Sequence, residues 1–306
     1  MEIYLPIAEM SVNWVLILGL GAAGGFLSGM FGVGGGFLMT PLLIFLGIPP
    51  GIAVATQSSP IAAASLTGAL AQDRRQGVDY KMGVVLLSGG LVGSALGVYI
   101  FALLQRIGQI DLTVNASYVL LLGSIGGLML NESVRSIRAA RRGETVRLHK
   151  PHQHMWIHGL PFKMRFRRSR LYISVIPPIV LGLLVGIMTA ILGVGGAFLL
   201  IPAKIYLLRM PTNVAIGTSQ FQVFFVAATT SILHAVTNQT VDIMLALLLI
   251  LGGVIGVQFG VRVGATLRGE ELRALLALLV VAIALRMLVG LVITPSDIYS
   301  VITGTP

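Results

Sequence analysis

Residues 31–41 read FGVGGGFLMTP, and residues 192–202 read LGVGGAFLLIP. Both stretches lie inside long apolar runs, where a helix is the usual way for the backbone to pair its own N–H and C=O groups. Glycine is the poorest helix former after proline. Consecutive glycines there predict a helix that opens and restarts. The apolar segment after each run is about 13 residues long, short of the roughly 20 that a full crossing needs. Each glycine run is therefore expected to precede a half-helix. Unpaired backbone at such a break is tolerated only where protein or a water-filled cavity satisfies it.

The rest of the chain places these breaks in a membrane. Of 306 residues, 56% are hydrophobic and 10% charged, and the mean hydropathy is +0.92. A soluble core of that size could not hide so much apolar surface, so the chain reads as a polytopic membrane protein. The absence of cysteine excludes disulfides, thiolate metal sites and cysteine nucleophiles. The N-terminal MEIYLPIAEMSVNW is acidic and lacks the basic region of a cleavable signal. The first apolar segment is thus expected to stay in the mature chain. The net charge of +10 is local: eleven of the twenty-one Lys and Arg residues lie between Arg135 and Arg170. A basic connector between membrane helices marks the cytoplasmic side and does not point to nucleic acid.

Ten apolar segments fall five before the connector and five after it. Gly21 and Gly25 correspond to Gly182 and Gly186, AVATQSS (53–59) to AIGTSQF (215–221), and Val78-Asp79 to Val241-Asp242. Gly89, Gly93 and Gly97 correspond to Gly252, Gly256 and Gly260. This is an internal duplication. Five crossings per copy would insert the second copy upside down, and the charges agree with that. DRRQGVDYK (73–81), the connector, Lys204 with Arg209, and RVGATLRGEELR (262–273) thread to the cytoplasm; GIPPG (47–51) and VTNQTVD (236–242) thread outside. The expected fold is all-α: two inverted repeats of about five transmembrane segments, with broken helices at the glycine runs. Residues 1–130 form the first repeat, 131–170 the connector and 171–306 the second repeat, both termini lying in the periplasm.

Half-helix N-termini carry partial positive charge and suit an anion. Glycine also lets a ligand approach the backbone closely. Gly34, Gly35 and Gly36 in the first copy, and Gly195 and Gly196 in the second, are the expected backbone donors. The third helix of each copy adds Thr56, Gln57, Ser58 and Ser59, and Thr218, Ser219 and Gln220. Neutral donors of this kind are costly in lipid and should face the protein interior, along a substrate path. The spaced glycines at 89/93/97 and 252/256/260 read instead as helix-packing stripes. The middle of each expected crossing is read as free of Lys, Arg, Asp and Glu, so no carboxylate relay is expected. His234 could titrate or serve a structural role.

Within the connector, KMRFRRSRLYIS (163–174) and TVRLHK (145–150) alternate basic and apolar residues and suggest a β-hairpin joined at HGLP (158–161). Its arginines suit anionic lipid headgroups. His149, His152, His154 and His158 do not make a convincing metal site without cysteine or nearby carboxylates.

The motifs GVGGGFLMTPLL, VATQSS, GVGGAFLLIP and GTSQFQ resemble those of the sulfite exporter TauE/SafE family, also called the toluene-sulfonate uptake permeases. The resemblance covers nearly all of the chain outside the connector; Ala197 departs from a full GVGGG run. It implies a bacterial inner-membrane permease for sulfur-containing anions such as sulfite, sulfonates or sulfoacetate. The function expected is export of such an anion, with no enzyme activity, cofactor or metal. The partners expected are the anion, lipid headgroups and a second copy in a homodimer. Na⁺- or H⁺-coupled anion uptake is the alternative within transport; a non-transporting scaffold or an intramembrane enzyme is the alternative outside it.

Overall fold

The computed structural model describes residues 2–31, 36–74, 76–141, 161–166, 168–169, 171–208, 210–264 and 269–292. Gly34, Gly35 and the four connector histidines lie outside them. The chain opens with a short antiparallel hairpin, β1 (Glu2–Leu5) and β2 (Met10–Asn13). Five helices follow: α1 (Trp14–Phe31), α2 (Gly36–Phe45), α3 (Pro50–Arg74), α4 (Tyr80–Arg106) and α5 (Ile110–Arg141). A second antiparallel hairpin, β3 (Lys163–Phe166) and β4 (Leu171–Ser174), begins the second half. Then come α6 (Ile176–Leu192), α7 (Ala197–Tyr206), α8 (Thr212–Leu233), α9 (Ile243–Gly264) and α10 (Gly269–Val292). A π turn over His234–Asn238 extends α8.

Among the described residues, five helical stretches are long and apolar enough to cross a membrane: Tyr80–Arg106, Ile110–Asn131, Thr212–Asn238, Ile243–Gly260 and Ala274–Val292. Apolar side chains such as Leu96 and Tyr99 on α4 and Ile243 and Leu251 on α9 point outward, as a lipid-facing belt requires. The polar helix α3 is not among the five, yet its 25 residues reach about 37 Å. It packs against α8 in the interior, where neighbouring protein shields its TQSS run.

The two halves exchange equivalent partners. The long contact of α1 with α9 has its counterpart in α4 with α6, while α3 packs on α8 and α5 on α10. The spaced glycines build the first two of these interfaces. A Cβ at Gly89 or Gly93 would strike the α6 backbone at Ile179 or Leu183; one at Gly256 or Gly260 would strike the α1 backbone at Ala22 or Phe26. Backbone-to-backbone approach of this kind is how helices gain dispersion contact when lipid supplies no hydrophobic drive.

The second helix interruption is present at Gly193–Gly196, the first falls on residues 32–35 outside the described ones, and α2 and α7 are each ten residues, about 15 Å. After Leu192 the chain doubles back: Gly196, at the start of α7, lies against Val185 and Thr189 of α6. Gly193, Gly195 and Gly196 have φ of 64°, 74° and 68°, values that only glycine adopts without strain in such a turn. The second segment of this half thus returns toward the end at which α6 began, although its helix covers only half that distance.

One feature departs from the sequence reading: a hairpin at Glu2–Asn13 was not foreseen. In the connector, Lys163–Phe166 pairs with Leu171–Ser174, while residues 145–150 lie outside the described residues.

Candidate functional site

The site forms where the interrupted helices meet. Phe37, the second residue of α2, and Phe198, the second of α7, stack with centroids 4.2 Å apart and planes 13° from parallel. A Cβ at Gly36 would meet the side chain of Ile61 on α3 and the carbonyl of Val194. One at Gly195 would also meet Ile61, and one at Gly193 the backbone of Val54. Positions 54, 57, 58 and 61 share one face of a helix. Gln57 and Ser58 are therefore on the α3 face that packs against the second glycine break. Both are buried, and Gln57 Oε1 and Ser58 Oγ have no hydrogen-bond partner among the described residues.

The break's carbonyls are better provided for. Gly193 N–H donates to Thr189 O, which leaves the last carbonyls of α6 without helical donors. The buried Tyr118 hydroxyl donates to Leu192 O at 2.5 Å, and His234 Nε2 lies 3.0 Å from Ala190 O. His234 Nδ1 lies 2.9 Å from the Asn238 amide nitrogen, so the network fits an imidazole that accepts at Nδ1 and donates from Nε2. His234 is thus a cap on a broken helix. By contrast, the N–H groups of Val194, Gly195 and Gly196 donate to no protein acceptor among the described residues. The break presents donors and hides acceptors.

Thr56 and Thr218 each take a hydrogen bond from the opposite half. Thr56 Oγ1 accepts from the N–H of Asp242, and Thr218 Oγ1 from that of Asp79, each at 3.0 Å. The two aspartates cap α9 and α4: Asp242 Oδ1 accepts from Leu245 N–H and Asp79 Oδ1 from Met82 N–H. Their other oxygens reach the hairpin turns. Asp242 Oδ2 accepts from Ile7 N–H, and Asp79 Oδ2 from the N–H and hydroxyl of Ser169. Each aspartate is thus clasped by a threonine and a hairpin from the other half. Thr56 lies six residues from the start of α3, whereas Asp79 follows its end, so the clasps sit at opposite ends of the molecule. Ser59 Oγ lies 2.6 Å from Ser231 Oγ, joining α3 to α8, and Gln220 packs beside Gly68 of α3.

Two charged residues modify the sequence reading, which set Lys204 as a cytoplasmic end charge and left the middle of the crossings free of charge. Arg286 lies inside the apolar span Ala274–Val292 of α10, with its guanidinium carbon 5.3 Å from the centre of the Phe45 ring. The structure buries Lys204 completely on α7, with Nζ donating to Ser219 Oγ at 2.9 Å. The fold brings it inward because α7 turns back beside α8, so its last turn faces protein and not solvent.

Ten helices with interrupted pairs meeting at the centre, and polar side chains gathered around the interruption, define a membrane transporter architecture. The chain belongs to the sulfite exporter TauE/SafE family, whose model matches residues 17–287. It is similar to "Probable membrane transporter protein YunE" of Bacillus subtilis (strain 168), at 25% identity over 90% of this chain and 98% of that one. A "Probable membrane transporter protein" of Xylella fastidiosa (strain 9a5c) is 29% identical over 89% and 93%, and YjnA of Bacillus subtilis 27% over 91% and 100%. No solved structure matches the chain.

Proposed function

We propose that this protein carries small sulfur-containing anions, such as sulfite or organosulfonates like sulfoacetate, out across a bacterial inner membrane. The two halves are inverted in that membrane, with the Asp79 end and the basic hairpin facing the cytoplasm and anionic headgroups. The observation that carries the reading is the face of α3 opposite the break. Among the described residues, Gln57 and Ser58 are buried there with unmatched polar atoms, on the face toward backbone N–H groups that also lack acceptors. A buried polar atom without a partner costs about 1–3 kcal/mol. A bound oxyanion would satisfy the N–H groups, the Ser58 hydroxyl and, after rotation of its amide, Gln57. Neutral donors bind an anion loosely enough to release it. An inside-negative potential favours anion exit by about 2.3 kcal/mol per charge per 100 mV, so export needs no second gradient.

The test is flux of sulfite and sulfoacetate from vesicles with an imposed potential, comparing wild type with Gln57→Ala/Ser58→Ala. Flux that follows the potential without a cation gradient, and falls in the variant, supports the reading. Flux that requires Na⁺ or a pH gradient would replace export with coupled uptake, and absence of flux for either anion would remove the substrate class.

A further inference from the structure

We infer that Lys204 and Ser219 form a second anion-binding position, displaced from the glycine break toward the Asp79 end, whose ammonium recognises the transported oxyanion directly. This rests on the transport reading above and adds to it a charged residue.

Lys204 is wholly buried, and Ser219 Oγ is the acceptor for its Nζ. An ammonium carries three donors, so two have no acceptor among the described residues. No Asp or Glu pairs with it among the described residues: of the carboxylates at this end, Asp79 is occupied by Met82 and Ser169, and Asp73 is exposed beside Tyr80. Desolvating an ammonium costs several kcal/mol, which one neutral hydroxyl does not offset. Packing does not explain the charge either. The repeat places Leu43 at the corresponding position of α2, where it is fully buried among Leu5, Ile48, Leu245 and Leu249. An aliphatic side chain therefore fills this position in the other half. Where Lys204 pairs with Ser219, the other half has Leu43 and Gln57. What Lys204 adds is a basic amine whose charged form lacks a counter-ion among the described residues, and an anion passing toward or from the break would supply one. Ser219 neighbours Thr218, the threonine of the Asp79 clasp, so the position lies just inside one closed end of the molecule.

The experiment is melting of the full-length protein in detergent, titrated with sodium sulfite against sodium chloride at equal ionic strength, alongside vesicle flux. Wild type should show a saturable rise in Tm with sulfite. Lys204→Met should lose that rise, melt at or above wild type without sulfite, and carry sulfite about tenfold more slowly, the loss expected for one charge-assisted contact. Lys204→Arg should retain most of the rise. A sulfite-dependent rise that persists in Lys204→Met overturns the inference. So does a Lys204→Met protein that melts well below wild type in sulfite-free buffer, since Lys204 would then be a structural tie, and Ser219→Ala would show the same loss. If wild type neither binds nor carries sulfite or sulfoacetate, the transport reading itself falls and this inference falls with it.

Discussion

The two ends of the molecule use the same clasp, whereas the two half-helices differ at their most buried polar position. At either end a buried aspartate caps a helix, receives a hairpin turn and presents its own N–H to a threonine of the opposite half. On the half-helices, Leu43 packs into an apolar cluster while Lys204 holds a charge against Ser219. The clasps are alike because both ends need the same thing: helix N-termini satisfied and two halves joined. The half-helices have no such shared requirement, and their difference makes the path past the break asymmetric along its length.

The largest effect should come from the interfaces that both halves share. Gly93→Leu or Gly256→Leu drives a side chain into the backbone of α6 or α1, and no monodisperse protein should be recovered by size-exclusion chromatography. Gly19→Leu, which meets no atom within 4 Å, should elute like wild type. Next, Leu43→Lys would impose the second half's charge on the first without its serine. It should lower Tm strongly, and adding Gln57→Ser should recover part of the loss. Smaller again are the clasps. Asp79→Ala removes three accepted hydrogen bonds and Asp242→Ala two, for losses of about 4.5 and roughly 3 kcal/mol at the low end of the usual worth of bonds to charged groups, about 1.5 kcal/mol each. Thermal melts that rank them in the other order would mean the clasps are not equivalent. The smallest is Tyr118→Phe, which strands Leu192 O and should cost about 1–2 kcal/mol, without moving sulfite affinity.

Much of this was legible in the chain. The ten segments, the duplication and the interruptions follow from hydropathy and glycine placement, which act locally. The stripes at 89/93/97 and 252/256/260 showed their helical spacing directly. Of the candidate site, Gln57 and Ser58 were found from their polarity in an apolar helix, and the structure places them on the α3 face against the break. Thr56 and Thr218 were found by the same signal, but polarity alone could not show that each also accepts a distant N–H from the opposite half. Lys204 was missed because a lysine at the end of an apolar run ordinarily reaches for the headgroups. The corresponding Leu43 was the available hint that this position is interior. The N-terminal hairpin had no strong signal, since four-residue strands carry too few alternations to stand out.

By itself, then, the sequence determined a membrane protein of two copied halves with a break in each, because solvent preference and backbone propensity are properties of short windows. Tertiary structure alone decided that α7 turns back along α6, that each aspartate is held by the opposite half, and that Lys204 is buried. The clasp contacts join residues 90 to 235 positions apart. Such pairings depend on how whole helices pack, and packing in lipid is set by backbone approach and matched polar atoms summed over the entire bundle.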